Sequence, residues 1–132
     1  MTEHRWCWTL SLLGGGYLVL AGWAAAHPPT FTTVLANFGP ANDHLVRDFA
    51  ACAATFGLGL VVAGRRPHWR TPALTLSALW NGLHALSHIH DVADAEPAIV
   101  GPVEAAVLVA VTGLFAWLTR LSLTDAASKE TR

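Results

Sequence analysis

Two histidines four residues apart, His84 and His88, followed by Asp91, form the segment of this chain best suited to chemistry. In a helix turning about 100° per residue, Asn81, His84, His88 and Asp91 fall within an arc of roughly 80°, and His90 points the opposite way. A second set, His44, Arg47 and Asp48, places an imidazole and a carboxylate one helical turn apart. Imidazoles and carboxylates on facing helices are the donor set of transition-metal sites, so His44, His84, His88 and Asp91 are expected to ligate Zn, Cu, Fe or Mn. Asp48, Glu104 and Arg47 are the candidates for a catalytic role, the two carboxylates as a further ligand, as a group that orients a histidine, or as a general base. Arg47 is expected to pair with one of these carboxylates or to steady an anionic group of a substrate. Asn81 and Asn42 are further candidate substrate contacts. Haem is a rival use of the same imidazoles, with His44 and His84 or His88 as axial ligands from opposing helices.

The elements that must position these residues are written in the distribution of charge. The chain has 132 residues, of which 53% are apolar and only 13% are charged. That length suits one domain, and the near balance of 8 basic against 9 acidic residues excludes a nucleic-acid binder, which needs a basic surface. No Asp, Glu, Lys or Arg occurs from Trp6 to Asn42 or from Phe49 to Gly64. Thr71 to His90 contains histidines only, and Pro97 to Thr119 has Glu104 alone. Each stretch with its flanks approaches the ~20 apolar residues that cross a bilayer as a helix. The reading is an all-α integral membrane four-helix bundle, a single domain with spans near 6–26, 42–64, 71–90 and 97–120.

Orientation follows from the basic residues. Arg5, Arg65, Arg66, Arg70, Arg120, Lys129 and Arg132 fall on one side of such a bundle, leaving Arg47 as the exception. The positive-inside rule makes that side cytoplasmic, with both termini inside a plasma (inner) membrane. The opposite loops carry Asp43, Asp91, Asp94 and Glu96, so the site is expected to face the extracytoplasmic side. The N-terminal run ending Ala24-Ala25-Ala26 also resembles a cleaved signal peptide, but it exceeds the usual ~7–15 residue apolar core and is expected to be a retained span.

Asn42 is expected to cap the second span, Thr71-Pro72 to open the third, Pro97 or Pro102 to open the fourth, and the tail after Leu123 to be loose. Cys7 and Cys52 differ in depth by several turns and are expected to be free thiols. His4, His27 and His68 lie in tails or loops and receive no role, and the six tryptophans are read as interfacial anchors.

The segment Asn42-Asp43-His44-Leu45-Val46-Arg47-Asp48, with the later Asn81-Gly82-Leu83-His84-Ala85-Leu86-Ser87-His88, resembles a group of small four-span actinobacterial membrane proteins loosely similar to DoxX-like proteins. That resemblance implies a four-helix bundle and a link to quinone-coupled oxidoreduction. The resulting expectation is a membrane-embedded metal-binding protein, read as a metalloenzyme, acting on a small or lipophilic substrate that enters from the bilayer. The alternatives are a haem- or quinone-binding redox subunit, and a non-catalytic metal carrier or accessory subunit that joins a homo-oligomer or a membrane complex.

Overall fold

A computed structural model describes residues 1–130, with side chains through Ser128. Arg132 and the side chain of Lys129 lie outside the described residues. Among the described residues the chain is all-helical, with five α-helices and no strand. They are α1 (Glu3–Ala26), α2 (Pro28–Leu35), α3 (Asp43–Arg65), α4 (Arg70–His90) and α5 (Val100–Glu130).

Local signals set most boundaries. Thr2 caps α1 by accepting the Arg5 N–H at 3.3 Å, and Pro28-Pro29 opens α2, where proline's missing N–H costs nothing. The Asn42 side-chain oxygen accepts from the N–H groups of His44 and Leu45 at 3.1 and 3.2 Å, so the expected cap of α3 is present. Thr71 does not cap α4. A 3-10 turn over Pro67–Trp69 runs directly into that helix at Arg70, and the Thr71 hydroxyl instead meets that of Ser122 on α5 at 2.8 Å. Two further corrections concern the loops and the tail. Residues 28–35, expected to lie in a loop, form α2, and α5 continues through the tail to Glu130.

Helix α1 packs antiparallel on α3 through glycine. A Cβ added at Gly14 would lie 2.6 Å from the Gly57 carbonyl oxygen, one at Gly57 would lie 2.9 Å from that of Gly14, and one at Gly64 would lie 3.2 Å from that of Cys7. These glycines leave no room for a side chain of their own, so the backbones come close and the Val61 and Leu18 side chains pack onto Gly14 and Gly57. Helix α4 packs antiparallel on α5, from Thr71 beside Ser122 at one end to His88 beside Glu104 at the other. Trp6, Leu10, Leu60, Leu74, Phe115 and Leu118 join both pairs in one buried cluster.

The end of the molecule carrying residues 3, 66 and 125 is closed by polar contacts. Arg70 is buried, donates to Glu3 at 2.5 Å and to the Ala63 carbonyl at 3.4 Å, and stacks its guanidinium 5.3 Å from the Trp6 ring. The Trp6 indole N–H donates to Asp125 at 2.7 Å. At the opposite end two loops are joined, since Glu96 N–H donates to the Asn37 carbonyl at 3.0 Å and the Asn37 amide donates to the Glu96 carbonyl at 2.6 Å. Gly39, with φ of 126°, turns the first of these loops in a conformation that L side chains rarely adopt.

Helices α1, α3 and α5 are long and apolar enough to cross a membrane. Helix α4 is long enough, but Asn81, His84, Ser87 and His88 lower its hydropathy and it falls outside that group.

Candidate functional site

His84 and His88 project from the same face of α4, and their Nε2 atoms lie 3.0 Å apart. The other ring nitrogen of His88, Nδ1, stands 3.3 Å from the Glu104 Oε2 atom on α5. This is ion-pair distance without an aligned hydrogen bond, and both atoms are buried with no other hydrogen-bond partner. The His88 and Glu104 side chains are only 15% and 16% exposed. At 1.5 Å per residue, His84 lies about 9 Å below the His90 end of α4 and Glu104 about 6 Å below the start of α5.

Aromatic rings enclose the pair. Phe38, from the first of the joined loops, meets His88 edge-on at 4.8 Å between centroids. Phe49 of α3 and Trp80 of α4 stand 5.9 and 5.8 Å from His84, and Phe56 stacks on Trp80 at 5.6 Å. The imidazoles thus occupy a setting of low polarity in which an electrostatic contact is stronger than in water.

The remaining expected site residues lie elsewhere. His44 is 87% exposed and faces Asp48 of its own helix at 3.6 Å, while Arg47 faces Asp43 at 3.9 Å. These residues do not join His84, because the face of α3 that packs inward is the opposite one, with Val46, Ala50, Ala53 and Gly57. Asp91 follows the last turn of α4 and lies 4.0 Å from His90, which is 88% exposed. The Asn81 amide donates to the Tyr17 hydroxyl and to the Ser77 carbonyl, and the Asn42 side-chain oxygen is committed to its cap. Among the described residues no group of three or more His, Cys, Asp or Glu side chains is placed to hold a metal ion. The two cysteines are free and half-buried.

Sequence reasoning passed over the aromatic enclosure. Trp80 carried a usable signal, since it precedes His84 by four residues and so shares its face. Phe38, in a loop, carried none. Comparison with family models, with curated proteins and with solved structures finds no match.

Proposed function

We propose that this is a four-span membrane protein with both termini cytoplasmic, and that His84 and His88 bind one transition-metal ion near the extracytoplasmic side. Helix α4 serves as the third of the four spans. Its exposed face includes Leu76, Leu79, Leu83, Leu86 and Ile89, while Asn81 and His88 turn inward to Tyr17 and Glu104. The placement of Arg5, Arg65, Arg66 and Arg120 supports the orientation.

The metal reading is carried by one observation: the two Nε2 atoms face each other at 3.0 Å while a carboxylate stands at the far nitrogen of His88. Two nitrogens that far apart and each ~2.0–2.1 Å from a single ion subtend roughly 90°, a usable angle for two adjacent ligands. Ligating histidines typically turn their second nitrogen to a carboxylate, and Glu104 would hold His88 in the tautomer with Nε2 free. Two protein donors leave the other coordination positions to solvent or to a small lipophilic substrate. The rings packed on His84 favour a single ion over haem, which needs a slot beside its axial ligand.

A second reading uses the same contacts without a metal. His84 Nε2–H donating to His88 Nε2, and His88 Nδ1–H facing the Glu104 carboxylate, make a proton path from α4 to α5 of the kind a quinone-coupled redox subunit needs. Elemental analysis and a visible spectrum separate the readings, on protein purified in mild detergent without a metal-affinity step. About one ion per chain, lost in the His84→Ala, His88→Ala double variant, is the expected result. No metal in either protein overturns the metal reading and leaves the proton path, for which infrared difference spectra of Glu104→Gln give the carboxyl band.

A further inference from the structure

The face of α3 turned away from α1 is not covered by the described residues. Arg47, Asp48 and His44 are 55%, 63% and 87% exposed there, although they belong to a helix long and apolar enough to cross a membrane. Ionisable groups on such a helix are costly against lipid and ordinarily meet a protein partner. The same face continues inward as Ala51, Thr55 and Gly59, three small residues at intervals of four. Ala51 and Thr55 are exposed, and a Cβ at Gly59 would meet nothing within 4 Å. The Thr55 hydroxyl is already satisfied by the Ala51 carbonyl at 2.9 Å.

We propose that this face of α3 packs against the same face of α3 in a second copy of the chain. The choice of occupant rests on charge. Taking about 100° per residue and the line through His44 and Thr55 as centre, Arg47 lies roughly 60–70° to one side and Asp48 roughly 30° to the other. A two-fold axis along the membrane normal sets each flank of one helix against the opposite flank of its mate. Arg47 of each copy therefore meets Asp48 of the other at nearly equal depth, as paired flanking charges do in parallel coiled coils. The small residues below let the two backbones approach. The inference is independent of whether His84 and His88 bind a metal.

The test uses oxidative cross-linking in native membranes, with Cys7 and Cys52 replaced by Ala. Thr55→Cys is expected to cross-link most of the protein to a homodimer, while Val107→Cys on the exposed face of α5 gives several-fold less. In mild detergent the wild type should have dimer mass, Arg47→Glu should lower the dimer fraction several-fold, and Arg47→Glu with Asp48→Arg should restore it. Monomer mass with no Thr55→Cys product overturns the proposal. So do equal cross-linking at both positions, a Thr55→Cys adduct to a different protein, or a dimer indifferent to the charge exchange.

Discussion

Glu104 Oε2 of α5 stands 3.3 Å from His88 Nδ1 of α4, joining two antiparallel helices through two buried atoms that have no hydrogen-bond partner among the described residues. An acceptor at Nδ1 decides which ring nitrogen of His88 is protonated and which is free to ligate. Glu104→Gln keeps the shape but removes the anion. It should weaken metal binding by about 10–100-fold while leaving the helical circular dichroism unchanged. Competition against a chelator of known affinity measures this, and an unchanged affinity would show that Glu104 does not orient the ligand.

The glycine line between α1 and α3 gives a sharper contrast. A methyl at Gly14 runs into the Gly57 carbonyl at 2.6 Å, whereas one at Gly15 meets nothing within 4 Å. Because the obstacle is backbone, Gly14→Ala should cost about 1–3 kcal/mol, as overpacking does. Gly15→Ala should leave stability unchanged or raise it. Thermal unfolding in detergent compares the two, and equal shifts would contradict the close approach.

Arg70 and Glu3 are unequal partners. Arg70 is buried, but the Glu3 side chain is 59% exposed, so solvent screens the pair from that side. Glu3→Gln should cost no more than about 1 kcal/mol, with a salt dependence that vanishes in the variant. Arg70→Ala also removes the stack on Trp6 and the bond to Ala63, and should cost on the order of 2 kcal/mol. Denaturant titration of both variants at low and high salt checks the ordering, and a larger loss from Glu3→Gln would reverse the assignment.

Topology has a direct readout. With Cys7 and Cys52 replaced by Ala, a cysteine at Ala41 should react with a membrane-impermeant maleimide on intact cells. One at His68 should react only after the membrane is opened. The reverse pattern would invert the orientation.

Much of the helical layout was legible, and the reasons for the gaps are physical. Long intervals without charge located α1, α3 and α5, and the histidine arc correctly put His84 and His88 on one face of α4. Glu104, the lone charge between Pro97 and Thr119, stands beside His88 because α4 and α5 pair antiparallel. The facing of α3 differs from the expectation that His44 shares a site with the histidines of α4. Its rotation follows the packing face, with Gly57 and Gly64 against α1, and that sends His44 and Asp48 outward. Helix α2 escaped because eight residues are too few to display a period, although Pro28-Pro29 marked its start. The continuation of α5 was missed because its tail is polar, and polarity does not distinguish an exposed helix from coil.

The bond from the Trp6 indole to Asp125 spans 119 positions of sequence. A ribosome adding about 5–20 residues per second reaches Asp125 on the order of ten seconds after Trp6. Helix α1 is therefore complete on the order of ten seconds before its latch exists, and the seal at that end forms only after Asp125 has been made.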